Sequence, residues 1–165
     1  MSETRERQTA NMEDYLEAIA ELADSQGDVR VTELSVALKV KKPSVSAALE
    51  KLAHEGLVRH ERYGSVELTP EGERAASDVR RRHDILARFL TEVLGMDAKT
   101  AQKDACKMEH VVSPATFERL TKFVEFVLTC PRGKPEWLEG FAYYARHGRR
   151  PEQQLARCQR GPVQP

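Results

Sequence analysis

Residues 41–58 read KKPSVSAALEKLAHEGLV, and their pattern is the strongest structural signal in the chain. Apolar residues recur there at helical spacing and form one stripe: Val45, Leu49 and Leu52. Pro43 suits the first turn of a helix because a proline there loses no intrahelical hydrogen bond, and Gly56 suits the end. The stretch therefore predicts a short helix with one buried face and one exposed face.

The segments on either side supply the other elements of a small domain. A first helix is predicted with Asn11 as its N-cap, and a second, short helix with Thr32 as its N-cap. After the stretch, residues 57–61 and 65–69 have the pattern of two short strands joined by a tight turn. This order predicts a winged helix-turn-helix over residues 1–73, whose third helix enters the major groove of DNA.

The exposed face of the predicted recognition helix and the hairpin tip supply the candidate DNA contacts. These are Lys41, Lys42, Pro43, Ser44, Ser46, Ala47, Lys51, Arg62 and Tyr63. Small hydroxyl and methyl groups suit the edges of bases, and the lysines suit phosphates. The alternative interpretation is a winged helix that serves as a protein-interaction module.

The charge of the chain is balanced overall but uneven along its length. Lys and Arg total 26 and Asp and Glu total 26, so the formal net charge is zero. This balance argues against nonspecific affinity for nucleic acid, which needs an excess of cations. Locally, residues 39–42 and 59–62 are basic, so binding at a defined site is still compatible with the charge. An acidic cluster is formed by Glu13, Asp14, Glu17 and Glu21.

The composition predicts a cytoplasmic protein. The chain has no run of about 18 apolar residues that would span a membrane, and its polar N-terminus is not a secretory signal. Its cysteines are odd in number and widely spaced, so no disulfide framework is expected: Cys106, Cys130 and Cys158. The spacing of Cys130, His147 and Cys158 matches no structural zinc pattern.

The second half of the chain is predicted to be helical. Helix signals mark a long helix between Thr69-Pro70 and Gly95, another over residues 98–110, and a third after Ser113-Pro114. From Pro131 onward, glycines and prolines recur, and only a short amphipathic piece is indicated. The fold is therefore mainly α, with a helical domain over residues 74–130 and a short C-terminal tail over residues 131–165.

Three potential metal ligands share one predicted helix. Cys106, Glu109 and His110 occupy positions i, i+3 and i+4, which a helix places on one face. A thiolate, a carboxylate and an imidazole together suit a borderline divalent metal such as Fe(II), Mn(II), Co(II) or Zn(II). His83 lies in the apolar stripe of the long helix, where a lone histidine is more typical of a packed core.

Asp14 and Glu17 lie at positions i and i+3 of the first helix, and spacing alone is typical of a solvated face. A wider pattern changes this interpretation, because five motifs follow one another along the chain. They are MEDYLEAI (12–19), KKPSVSAALEKLAHEGLV (41–58), LTPEGE (68–73), RRHDILARFL (81–90) and DACKMEHVVS (104–113). In this order the chain resembles the diphtheria-toxin-repressor and manganese-transport-regulator family of metal-dependent repressors. The resemblance covers about residues 8–130.

The resemblance implies a metal site built from Asp14, Glu17, His83, Cys106, Glu109 and His110. Asp14 and Glu17 are similar to the manganese branch of the family, whereas Cys106 is similar to the iron branch. Because a soft thiolate disfavours Mn(II) relative to Fe(II), we expect Fe(II) first and Mn(II) next, with Co(II), Ni(II) or Zn(II) able to bind in vitro. Gln102 and Ala87 stand where the iron branch has ligands of its second metal site, so that site is not expected.

The resemblance also implies a homodimer, with the helices of residues 74–130 binding metal and dimerising, and a repressor rather than an enzyme. Without metal, repulsion among carboxylates should leave the first helix loosely placed, and a divalent cation should tie it to the dimerisation helices. The dimer would then read an inverted repeat of double-stranded DNA with half-sites one helical turn, roughly 34 Å, apart. No SH3-like third domain is expected, because the chain ends at residue 165.

Two other functions compete with this interpretation. One is a winged-helix regulator that responds to a small organic ligand, with His83 and Cys106 merely packed. The other is an enzyme with Cys106 as nucleophile and His110 as base, although nothing in the sequence resembles an oxyanion hole.

Overall fold

The structure is a computed structural model, and it describes residues 2–60, 64–131, 133 and 135–151, with side chains from residue 12 onward. Helices make up most of these residues, and the sheet among them has two strands. In chain order the elements are α1 (Ser2–Gln26), α2 (Val31–Ala37), α3 (Lys42–His54), β1 (Val58–His60), β2 (Val66–Leu68), α4 (Pro70–Arg88), a π-helical segment (Phe89–Val93), α5 (Ala98–Met108), α6 (Pro114–Leu128) and α7 (Glu136–His147). None of the described helices is long and apolar enough to cross a membrane. The predicted mainly α fold is confirmed.

The chain divides into two compact units. The first contains the chain up to Asp84 together with Cys106–Val112, and the second contains Ile85–Ala105 together with the chain from Ser113 onward. The division falls inside α4 and inside α5, so each of these helices contributes to both units. The predicted division into residues 1–73, 74–130 and 131–165 concerns function rather than compactness, and it stays a prediction.

The core of the first unit joins α1, α2 and α3 to the hairpin. Each of these elements contributes buried side chains, among them Tyr15, Ile19, Leu34, Val45, Leu49, Leu52 and Val66. β1 pairs antiparallel with β2, with Val58 opposite Leu68, and the Val66 N–H donates to the Val29 carbonyl at 2.7 Å. The apolar stripe of α3 is therefore buried, and the predicted winged helix-turn-helix is confirmed.

The first two helices begin earlier than predicted. α1 begins at Ser2, because the residues before Asn11 are mostly good helix formers, so Asn11 lies inside the helix and is not its N-cap. The N-cap of α2 is Arg30 rather than Thr32. The Glu33 carboxylate accepts a hydrogen bond from the Arg30 N–H at 2.9 Å, which stabilises the earlier start.

The helix α5 ends two residues earlier than predicted. The Met108 carbonyl accepts hydrogen bonds from two N–H groups further along the chain, at 3.0 Å each. The chain therefore turns after Met108, and Glu109 and His110 lie in the turn rather than on the helix. The predicted extension of α5 to residue 110 is therefore wrong by two residues.

The second unit packs the π-helical segment against α6 and α7. Val93, Val127 and Leu138 are buried together, with Phe89 packed against them. The Phe89 ring also meets Phe123 edge to face, with ring centroids 6.4 Å apart. Among its described residues this unit contains no strand.

Gly72, near the start of α4, has no room for a side chain. A Cβ there would lie 1.9 Å from the Leu57 carbonyl oxygen. The Thr69 hydroxyl fixes this close approach, since it accepts from the Gly72 N–H at 3.1 Å and donates to the Gly56 carbonyl at 2.6 Å. We expect Gly72→Ala to lower the free energy of unfolding by about 1–3 kcal/mol, the usual cost of overpacking. Chemical denaturation in the presence of chelator measures this change.

Ser77→Ala, at an exposed position of α4, is the matched control and should change the free energy of unfolding by less than about 0.5 kcal/mol. Replacing glycine by alanine normally stabilises a helix. An unchanged or raised denaturation midpoint for Gly72→Ala would therefore contradict the close packing of α4 on Leu57.

Candidate metal centre and DNA-facing helix

Three potential metal ligands from distant parts of the chain meet in the first unit. Asp14 lies on α1, and Glu109 and His110 lie in the turn after α5. One ligand atom from each of these residues lies within 4.8 Å of the other two. The fold thus brings two carboxylates and an imidazole together at one point.

The imidazole of His110 lies between these carboxylates. Its Nε2 is 2.8 Å from Asp14 Oδ1 and 3.3 Å from Glu109 Oε1. Both Nε2 and Glu109 Oε1 are buried; Nε2 forms an ion pair with Asp14 when the ring is protonated, whereas Glu109 Oε1 has no hydrogen-bond partner. Adjacent ligands of a six-coordinate ion with bonds of about 2.1 Å are about 3.0 Å apart, so these spacings fit a metal site. Buried polar atoms without partners cost free energy, and coordination to a cation would remove that cost.

Glu109 is the buried acid of the cluster. Its side chain is 0% exposed, and its Oε2 lies 2.8 Å from Nδ1 of His83 on α4. Burial raises the pKa of Glu109 to about 6, helped by the charge of Glu17 and opposed by the hydrogen bond with His83. A carboxylate at this depth needs a positive partner at neutral pH, and a divalent cation would provide one.

The pKa of His110 is raised, which favours the charged form of the ring. Short contacts with Asp14 and Glu13 raise the pKa of His110 to about 10, so in the absence of a metal the ring is positively charged at neutral pH. Burial of Glu13 opposes its ionisation, but hydrogen bonds with His110 and Arg82 lower the pKa of Glu13 overall. His110 and Arg82 are thus two cations among the acids. They partly offset the carboxylate repulsion that the sequence led us to expect.

Glu17 and Cys106, also predicted as ligands, lie at the margin of this cluster. Among the described residues, the ligand atoms of Asp14, Glu109 and His110 converge, and this group includes neither Glu17 nor Cys106. Burial, with the charge of Glu21, raises the pKa of Glu17. Partial burial, with the charges of Glu109, Asp14 and Glu17, raises the pKa of the Cys106 thiol, although this residue keeps access to solvent. Nearby acidic charges therefore help to raise the pKa of both groups, although neither residue is one of the three whose ligand atoms converge.

Two residues that the sequence did not predict as part of a site surround the cluster. Glu13 Oε2 lies 2.8 Å from Nδ1 of His110, and Glu13 Oε1 pairs with the Arg82 guanidinium at 2.6 Å. Glu13 stood out in the sequence only as a member of the acidic cluster on α1. Each of its partners lies on a different element, so the neighbouring sequence carried no signal for either contact.

The exposed face of α3 carries most of the predicted DNA contacts. The exposed members of that set are Lys41, Lys42, Pro43, Ser44, Ala47 and Lys51. Ser46 is half-buried, and Arg62 and Tyr63 at the hairpin tip lie outside the described residues. Because Val45 and Leu49 are fully buried on the opposite side of α3, the core of the first unit holds this face outward.

Two family models match successive parts of the chain. The model for the N-terminal DNA binding domain of iron dependent repressors matches residues 8–66. The model for the iron dependent repressor metal binding and dimerisation domain matches residues 69–138. Together the two matches cover most of the chain, and the second begins just before α4.

Curated relatives match the same region. An uncharacterised HTH-type transcriptional regulator of Methanocaldococcus jannaschii is 37% identical over 116 residues, which cover 70% of this chain and 93% of that protein. The transcriptional regulator MntR of Salmonella typhimurium is 37% identical over 114 residues, which cover 69% of this chain and 72% of that protein. Both relatives are thus matched over most of their own length.

A solved structure described as a manganese-dependent transcriptional repressor in complex with manganese is similar, with a TM-score of 0.64 and 34% identity. The similarity covers 70% of this chain and 53% of that chain, so this chain matches about half of the solved protein. The two family models and the two relatives agree on the class of protein. The chain belongs to the iron-dependent repressor family of metal-dependent transcriptional regulators.

Proposed function

We propose that this protein is a metal-activated repressor that binds operator DNA as a homodimer when a divalent cation occupies the cluster of Asp14, Glu109 and His110. The observation that carries the proposal is the convergence of ligand atoms from Asp14, Glu109 and His110, among which Glu109 Oε1 is buried without a hydrogen bond. The family models support it, since they describe a DNA binding domain followed by a metal binding and dimerisation domain.

The full proposed ligand set is Asp14, Glu17, His83, Cys106, Glu109 and His110. Asp14, Glu109 and His110 form its centre because their ligand atoms already converge, and His83 adjoins them through Glu109. A bound divalent cation would neutralise the carboxylates and take the place of the proton on His110. The chain's own residues hold these groups in position from α1, from α4 and from the turn after α5.

α1 connects the proposed metal site to the DNA-facing helix. Asp14 is followed on α1 by Tyr15 and Ile19, which are buried in the same core as Leu49 of α3. A cation bound by Asp14 would fix α1 and, through this shared core, α3. Metal and DNA would then favour the same conformation, so each would tighten the binding of the other by the same factor. The proposed operator is an inverted repeat, read by the exposed face of α3 in each subunit.

We propose Fe(II) as the first activating metal and Mn(II) as its main competitor. Carboxylate and imidazole ligands suit both ions, whereas a thiolate from Cys106 favours Fe(II). The similar structure that contains manganese makes Mn(II) the necessary comparison. The proposed place of action is the cytoplasm, where operator DNA is found. Catalysis by Cys106 is not part of the proposal, because its raised pKa keeps the thiol protonated at neutral pH.

DNA binding should depend on the metal. Purified protein is mixed under anaerobic conditions with a pool of genomic fragments, in chelator or with Fe(II), Mn(II) or Zn(II). We expect Fe(II) or Mn(II) to raise the affinity for retained fragments by about 5- to 150-fold over chelator, the usual range of coupling between two sites. His110→Gln should bind these fragments weakly under every condition, because it removes the central ligand of the cluster.

The matched control is His147→Gln, at an exposed histidine at the end of α7, which should keep the full response to metal. Equal retention by the wild-type protein in chelator and with each metal would contradict metal activation. It would favour a regulator that responds to a small organic ligand or that binds DNA constitutively.

Metal affinity should rise with pH. The pKa of His110 is about 10 without metal, so at neutral pH a cation must displace a proton from this ring. Between about pH 7 and 9 we expect the affinity for Mn(II) to increase by about tenfold per pH unit for the proton that His110 releases, and more steeply if Cys106 binds as a thiolate. Competition titrations against a metal-sensitive chelator measure this slope. A slope near zero, or the same slope in His110→Gln, would show that His110 is not the group that loses the proton.

Cys106→Ser should change the metal preference without abolishing binding. The thiol lies outside the three converging ligands, so the substitution leaves Asp14, Glu109 and His110 in place. Loss of the soft donor should reduce the ratio of Fe(II) to Mn(II) affinity by about tenfold. Anaerobic titration with each metal gives this ratio, with Cys130→Ser as the control. An unchanged ratio would remove Cys106 from the ligand set.

A further inference from the structure

Glu13 is a carboxylate of α1 that the proposed ligand set does not include. It lies beside Asp14 in the sequence but contacts the other nitrogen of His110: Glu13 Oε2 is 2.8 Å from Nδ1. Its second oxygen, Oε1, accepts a hydrogen bond from Arg82 at 2.6 Å. Both carboxylate oxygens are therefore engaged, and they face the side of the ring away from Asp14 and Glu109.

The contact with Glu13 favours one nitrogen of His110 as the metal ligand. A neutral imidazole carries one proton, and the nitrogen without it has the lone pair that binds a metal. When Asp14 and Glu109 bind the metal, the Glu13 carboxylate on Nδ1 keeps the remaining proton there, which leaves the lone pair on Nε2. Nε2 is the atom that lies beside Asp14 Oδ1 and Glu109 Oε1. Glu13 thus favours the tautomer and the ring orientation that the cluster requires.

Arg82 of α4 connects Glu13 to the turn that carries the other ligands. Its Nη2 donates to Glu13 Oε1 at 2.6 Å, and its Nη1 donates to the main-chain carbonyl of Glu109 at 3.2 Å. The guanidinium is planar and holds several donors at fixed angles, so one side chain sets the position of both groups. The side chains of Arg82 and Glu13 are both largely buried, at 26% and 23% exposure, which limits competition from water.

We propose that Glu13 is a positioning residue of the metal centre: it holds His110 with Nε2 towards Asp14 and Glu109, and Arg82 in turn holds Glu13. This inference rests on the proposed metal site. Glu13 touches no converging ligand atom of the cluster, since its contact is with Nδ1 rather than Nε2. Its effect on the metal is therefore exerted through His110.

The test is a Co(II) titration of the full chain, by competition with a chromogenic chelator, for the wild type, Glu13→Ala and Glu13→Gln. We expect Glu13→Ala to weaken Co(II) binding by about 10- to 100-fold, the usual effect of losing a partner of a ligating histidine. Glu13→Gln should recover much of this loss, because an amide oxygen still accepts the Nδ1 proton. Thermal unfolding of the metal-free variants is measured in parallel.

The matched control is Asp24→Ala. Asp24 of α1 pairs with Arg80 of α4 at 3.4 Å, so this variant removes an ion pair between the same two helices at an exposed position away from His110. We expect its Co(II) affinity to equal that of the wild type. A loss in Asp24→Ala as large as that in Glu13→Ala would overturn the inference, because the effect would then belong to helix pairing in general.

The outcomes separate this inference from the proposed function. If the wild type binds Co(II) and Glu13→Ala binds it equally well, Glu13 has no positioning role, and the metal site stands without it. If Glu13→Gln is as weak as Glu13→Ala, the effect is one of charge, and positioning through the Nδ1 hydrogen bond is refuted. Failure of the wild type itself to bind Co(II) would overturn the proposed metal site and this inference together.

Discussion

One contact joins α1 to the turn after α5: two neighbouring acids of α1 hold the His110 ring from both sides. Asp14 lies 2.8 Å from Nε2 and Glu13 lies 2.8 Å from Nδ1. Successive residues of an α-helix point about 100° apart, so the pair grips the ring only at one rotation of α1. The same rotation buries Tyr15 and Ile19 in the core that α3 shares. The contact and the core that includes α3 therefore share α1, which links the proposed metal ligands to the proposed DNA-binding helix.

Charged groups of both signs surround His110: Glu13, Asp14 and Glu109 are acidic, and Arg82 is basic. Glu109 is fully buried, and burial raises its pKa to about 6. Uncompensated, a carboxylate at that depth would cost several kcal/mol. His83 and the His110 ring provide compensation on two sides, and Arg82 anchors the neighbouring carboxylate of Glu13. Within this cluster Glu109 Oε1 is buried without a hydrogen bond, and a bound cation would satisfy it.

The sequence predicted those features that depend on local periodicity and capping. The buried stripe of α3, the strand pair and the start of α6 at Ser113-Pro114 all follow from residues close together in the chain. The end of α5 was not predicted, because the hydrogen bonds that end the helix at Met108 are made by main-chain groups and do not depend on particular residue types. Glu13 escaped for a different reason: its partner His110 is 97 residues away, and no spacing rule relates them. The ligand set came from a resemblance, and the structure gathers only part of it closely.

The two sides of the His110 ring have different parts in the proposed switch. On the Nδ1 side, the contact with Glu13 is compatible with both the metal-free and the metal-bound ring, because the proton stays in place. On the Nε2 side, the metal replaces a proton, and there the 3.3 Å approach of Glu109 Oε1 is the least satisfied contact. The gain in free energy on metal binding therefore arises where α1 meets the turn, while Glu13 keeps the ring fixed. A switch built in this way strengthens an orientation of α1 that the fold already defines, and it acts on DNA by narrowing the range of positions open to α3.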